Sequence, residues 1–183
     1  PDDNLDDFQA RKEVVEQNTS NAGGMMTEDE PKCRAPEFKF TSSPSPDSSC
    51  TNGSANGLGL YLGVVDTTVA PGIPLLFRVE ISETDGKRGM ALKPLHKDTG
   101  KIIDDELKFE IEVAADGTFE GATGQITMVG LANAISGSDI RANLVLSGQI
   151  RNDDYLCGAV AGCLIEPFTY DLIGSTFTMT RVA

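Results

Sequence analysis

Leu107, Phe109, Ile111 and Val113 alternate with Lys108, Glu110 and Glu112. An apolar side chain at every second position belongs to an extended chain with one dry face and one wet face. Ala115-Asp116-Gly117-Thr118 follows, and an Asp-Gly pair readily takes the positive φ angles of a type I′ turn. Phe119 to Val129 is the natural return strand, although Gly121, Ala122 and Gly124 weaken its pattern. A hairpin is not stable by itself, so this one demands further strands.

The rest of the chain supplies them. Leu58, Leu60, Leu62 and Val64 alternate with Gly59, Tyr61 and Gly63. Leu75, Phe77, Val79 and Ile81 form a second half-buried pattern, and Asp85-Gly86 is another hairpin signal. Met90 and Leu92 suggest a strand that Pro94 confines to an edge or a strand end. Ile140, Ala142, Leu144, Leu146, Gly148 and Ile150 give the longest clean alternation. Arg151 to Asp154 reads as a polar turn, Phe168, Tyr170 and Leu172 as a strand, and Phe177 to Val182 as a closing strand. No apolar pattern of helical length lies between them. The expected fold is all-β: an antiparallel sandwich or up-and-down barrel of about eight strands, with short connections making neighbours antiparallel.

Residues 1–55 read differently. Leu5, Phe8 and Val15 mark a short helix near Asp3 to Gln17, and Thr41 to Cys50 is a linker rich in Pro and Ser. The division is therefore an irregular, acidic N-terminal arm over 1–55 and an antiparallel β domain over 56–183. The arm is the expected contact with other protein subunits, by strand addition or docking.

Four cysteines occur, Cys33, Cys50, Cys157 and Cys163. The spacing does not match the close Cys pairs of a structural zinc site, and His96 is the only histidine. Two local disulfides are expected. Cys33–Cys50 would close a polar loop of the arm. Cys157–Cys163 would close Gly158-Ala159-Val160-Ala161-Gly162, a small apolar loop between the strand ending near Ile150 and the one beginning at Phe168. Disulfides imply an oxidising, extracytoplasmic setting: secreted, periplasmic or cell-surface. The chain opens Pro1-Asp2-Asp3-Asn4, which fits a processed product. A signal peptide or a lipid anchor upstream is compatible with that opening. Asn18-Thr19-Ser20 and Asn52-Gly53-Ser54 are glycosylation sequons for a eukaryotic secretory pathway. The cysteine stretch followed by Asp171-Leu172-Ile173-Gly174-Ser175-Thr176-Phe177 resembles the ends of secreted or lipid-anchored bacterial β-proteins, and that likeness carries no function over.

Fifteen basic against 28 acidic residues leave a net charge of −13. Nucleic acid and anionic membrane surfaces select basic faces, so neither is an expected partner. No apolar run reaches the roughly 20 residues of a membrane span. Catalysis has no visible constellation. His96 lies in the charged run Lys93-Pro94-Leu95-His96-Lys97-Asp98, where a surface role is expected. The adjacent acids Asp104-Asp105 and Asp153-Asp154 read as turn formers, since Asp bonds its own backbone there. The domain is expected to be non-catalytic. Calcium is the one cofactor for which the acidic loops at Asp85, Asp104-Asp105 and Asp153-Asp154 offer oxygens, although no twelve-residue calcium loop is present. The alternative to a protein-binding module is a barrel that carries a small apolar ligand. Its inward-facing residues would include Leu60, Phe77, Phe109, Leu144 and Tyr170.

Overall fold

The computed structural model describes Cys50, Gly53 and residues 56–183. The expected N-terminal helix, the linker, Cys33 and the sequon at Asn18 lie outside the described residues.

Among the described residues nine strands follow in order: β1 (Gly59–Asp66), β2 (Leu75–Thr84), β3 (Lys87–Pro94), β4 (Leu107–Val113), β5 (Thr118–Met128), β6 (Ile140–Asn152), β7 (Tyr155–Glu166), β8 (Tyr170–Asp171) and β9 (Ser175–Arg181). Neighbouring strands are β6-β5-β4-β3-β2-β1-β9-β7-β8, and β6 also pairs with β7. That last pairing closes eight strands into an antiparallel barrel, with the two-residue β8 attached to β7. Closure removes the exposed edges that an open sheet would have to protect.

The two ends of the barrel differ. At one end the strands are joined by tight turns: Asp85-Gly86, Ala114 to Gly117, and Asp153-Asp154. The described chain also enters and leaves the barrel there, before β1 and after β9. At the other end lie the four long connections, 67–74, 95–106, 129–139 and 167–174. The tight turns follow local chemistry. Asp85 (φ 54°) and Gly86 (φ 75°) both lie in the left-handed region, as a type I′ turn requires. At Ala115-Asp116-Gly117 only Gly117 (φ 82°) does, and Ala114 N–H donates to the Thr118 carbonyl across a longer loop. The hairpin forms as expected, but its turn is not type I′.

Inward side chains make two apolar clusters. Tyr61, Val79, Ile81, Met90, Ile111, Phe119, Ile150, Leu156, Phe177 and Met179 fill the tight-turn half. Val69, Leu75, Met128, Ile135, Ala142, Leu164, Phe168 and Leu172 gather at the long-loop end. Outward positions carry Glu80, Lys108, Glu110 and Glu112, all exposed. This phase is opposite to that of a membrane barrel, whose apolar side chains face lipid. Among the described residues no helix is long and apolar enough to cross a membrane.

The cysteine reading needs correcting. Cys50 is bonded to Cys157, with Cα atoms 5.8 Å apart and a sequence separation of 107. Cys163 is also disulfide-bonded, with a partner outside the described residues. Neither local pair, Cys33–Cys50 nor Cys157–Cys163, therefore exists. Residues 157–163 are not a loop but the middle of β7. Six positions apart on an extended strand, the two sulfurs face the same way yet lie roughly 20 Å from each other. The small residues that suggested a loop serve close packing instead. A Cβ on Gly158 would lie 2.2 Å from the Ser147 carbonyl oxygen and 2.8 Å from the Phe177 ring. In consequence β6 is flanked by β5 and β7, not by a strand over 168–172.

Candidate functional site: a cavity at the long-loop end

The barrel interior is packed solid only at the tight-turn end. Tyr61 and Phe177 are at most 2% exposed there, and Phe119 packs 5.9 Å from Phe177 between ring centres. The Tyr61 hydroxyl lies 3.0 Å from the carbonyls of Gly57 and Asp153, to either of which it can donate. It accepts from Arg181 Nη2 at 3.0 Å. Burial is the main reason its pKa is raised, with the Arg181 charge opposing the shift.

Above that plug lies a cavity of about 370 Å³. Its floor is Leu146 and Val160, and its wall includes Val65, Leu75, Phe77, Leu92 and Leu144. All four long connections line it: Val69 from 67–74, Asp105 from 95–106, Ile135 from 129–139 and Leu172 from 167–174. The wall is strongly apolar because the alternation of each strand sends its aliphatic set inward. The 129–139 connection is held in shape by Asn133, which is fully buried. Its Nδ2 donates to Ser136 Oγ (2.7 Å) and to the Ser138 carbonyl (2.8 Å), and its Oδ1 accepts from the Ile135 and Ser136 N–H groups. The Thr67 hydroxyl oxygen, on another lining residue, is buried and has no hydrogen-bond partner.

The five residues expected to face a ligand are placed apart. Phe77 and Leu144 line the cavity. Phe109 is packed against the cluster of the tight-turn half. Tyr170 is on β8, edge-on to Phe168 at 6.4 Å, and packs against the long-loop cluster without lining the cavity. Leu60 is a correction: it faces outward, beside exposed Glu80 on β2. The stretch 58–65 is apolar in both phases, and burial of Tyr61 and Gly63 fixes the other one. Loop residues such as Asn133 and Ile135 escaped the sequence reading because periodicity speaks only for strands, whereas Leu172, expected on a strand, lies just beyond β8. Val65 lies on β1 in the phase opposite to the one expected, and Leu164 lies on β7, where no strand was expected.

The residues considered for catalysis or metal binding do not converge. Asp85 and Asp153-Asp154 lie in turns at the tight-turn end, and Asp104-Asp105 in the 95–106 connection at the other. Asp104 is paired with Lys93 Nζ at 2.9 Å, a contact that lowers its pKa. His96 Nδ1 accepts from the Asp98 N–H at 3.2 Å within its own turn. Among the described residues no group of three or more His, Cys, Asp or Glu is placed to hold a metal ion. On the outer face Glu112 and Glu120 are direct cross-strand neighbours, and burial together with the Glu112 charge raises the Glu120 pKa.

No protein-family model, no curated protein and no solved structure matches this chain. The disulfide between Cys50 and Cys157 is consistent with an oxidising, extracytoplasmic environment.

Proposed function

We propose that the domain is a non-catalytic extracytoplasmic carrier of a small apolar ligand. The cavity of about 370 Å³ carries this reading. It falls in the size range of small-molecule sites, roughly 300–1,000 Å³. A barrel with only a structural role fills such a space with side chains, because an empty apolar void forfeits contacts. Here one half of the same barrel is filled by Tyr61, Phe119 and Phe177, and the other is not. The scattered, exposed acids support a binding role over carboxylate catalysis.

The test is titration with an apolar dye whose fluorescence rises in a dry site, followed by displacement with aliphatic and aromatic compounds. Leu144→Trp, which projects into the cavity, should abolish binding while the circular dichroism spectrum is kept. Dye binding that is absent in the wild type, or unchanged in Leu144→Trp, refutes the carrier.

A second reading, contact with another protein subunit, draws on the outer face of β1 and the end of β9. Leu58 and Leu62 are each 37% exposed there and Val182 57%. Assembly that persists in Leu62→Glu, measured by light scattering, removes that surface from consideration.

A further inference from the structure

The barrel wall has one incomplete seam. β4 and β5 pair only at Glu112–Glu120 and Val113–Phe119. Beyond these, Leu107 to Ile111 pair with β3 and Gly121 to Met128 with β6, but not with each other. A bulge between Ala122 and Gly124, where Gly124 has φ 64°, bends β5 at the point where the seam opens.

The cavity reaches this seam. Consecutive residues Gln125, Ile126, Thr127 and Met128 all line it, so both faces of β5 border the space. On the facing side it is lined by Asp105, Glu106 and Leu107. Asp105, Glu106, Gln125 and Thr127 are exposed to solvent. Pro167 is the one other exposed lining residue. The mouth of an apolar chamber is thus bordered by two carboxylates, an amide and a hydroxyl.

Three cations of this region are held by other acids or by Glu106. Lys93 Nζ is 2.9 Å from Asp104. Lys108 Nζ is 2.7 Å from Glu106, and Arg141, cross-strand from Thr127, has Nη2 2.6 Å from Glu166. Among the described residues Asp105 is in no ion pair, and the chain carries a net charge of −13.

We infer that the cargo is an elongated amphiphile with a neutral or cationic head. Its tail occupies the barrel and its head lies at the β4–β5 seam, where Gln125 and Thr127 offer hydrogen bonds and the acids disfavour an anion. This inference rests on the carrier reading and specifies its ligand.

The experiment measures displacement of the bound dye by decanol, decylamine and decanoate, each below its micelle concentration. At low salt decylamine should bind about tenfold more tightly than decanoate, with decanol between them, as expected for a partly hydrated charge at a few ångströms. High salt should shrink the difference. The double variant Asp105→Asn, Glu106→Gln removes both acids and frees Lys108, so the order should reverse in favour of decanoate. Asp105 is exposed and the Glu106 side chain is partly so, and the variant's folding is checked by its melting curve. Salt dependence in the wild type tests the same point without any substitution. Equal affinity for all three compounds, or a wild-type preference for decanoate, overturns the inference and leaves the carrier standing. Failure of all three to displace dye that does bind also overturns the inference alone. Absence of any dye binding removes the carrier and the inference together.

Discussion

Replacing Cys50 and Cys157 together by Ala should cost far more than cutting a local staple. The bridge spans a sequence separation of 107. In the chain-entropy description so long a cross-link in an otherwise open chain is worth about 4.8 kcal/mol at 25 °C; with the second bridge from Cys163 kept, and Cys33 as its partner, the loop it closes shrinks to roughly 23 residues and the value to about 3.4 kcal/mol. A bridge between Cys157 and Cys163 would close so short a loop that about 2 kcal/mol is expected in the same description. Both sulfur-bearing residues are 2% exposed, so truncation to Ala also leaves small voids and adds to the loss. The double variant should therefore be destabilised by about 5 kcal/mol in urea unfolding under oxidising conditions. Its denaturant slope should rise, because the unfolded chain is less constrained and exposes more surface. A loss under about 2 kcal/mol with an unchanged slope would falsify the long-range link. Peptide mapping of the unreduced protein provides the covalent check: a Cys50–Cys157 peptide is required, and the remaining cysteines make Cys33–Cys163 the expected second link.

Gly158→Ala tests whether β7 presses on β6. A Cβ there meets backbone atoms of Ser147 and Gly148 within 2.5 Å, so a loss of about 3 kcal/mol is expected, and a neutral result would return this segment to a loop. Asn133→Ala should cost about 3 kcal/mol in thermal or urea unfolding, since it strands the Ile135 and Ser136 N–H groups and the Ser138 carbonyl. A loss within about 0.5 kcal/mol would mean that the connection does not depend on this side chain. Tyr61 governs alkaline behaviour. Its folded-state pKa is raised above the usual 10.0, so the folded protein holds that proton more tightly. The resulting stability is complete below the unfolded value and is lost as pH rises through the folded one. Melting temperature against pH should fall on the alkaline side, and Tyr61→Phe should flatten that fall; an identical slope in both proteins refutes the assignment.

The hairpin of β4 and β5 was readable because two physical signals agreed: period-two burial and an Asp-Gly turn. Pro94 was readable for a similar reason, since a residue without an N–H belongs at a strand end, and β3 stops there. Two features failed for want of contrast, and two more because they belong to the closed barrel. Residues 157–163 have small side chains on both faces, so nothing alternates, and Gly and Ala mimic a loop when their purpose is close strand approach. In β1 both phases are apolar, and only burial of Tyr61 by distant Arg181 and Asp153 decides between them. The cavity depends on how four connections fold at the barrel end, and those connections have no period to read. The splayed seam is equally silent, because register between strands is a property of the closed barrel and not of either strand's composition.

Entry and exit of the described chain at the tight-turn end have a consequence for how the domain can be displayed. Strands of this length, tilted as barrel strands are, put roughly 20 Å of protein between that end and the long connections. A tag, linker or solid support joined after Ala183 would therefore sit on the far side of the molecule from the chamber. Immobilisation through the C-terminus should orient every copy with its mouth toward solvent. Diffusing small molecules would then approach the opening from the side away from the support, and measured association rates should be the same on a surface as in free solution.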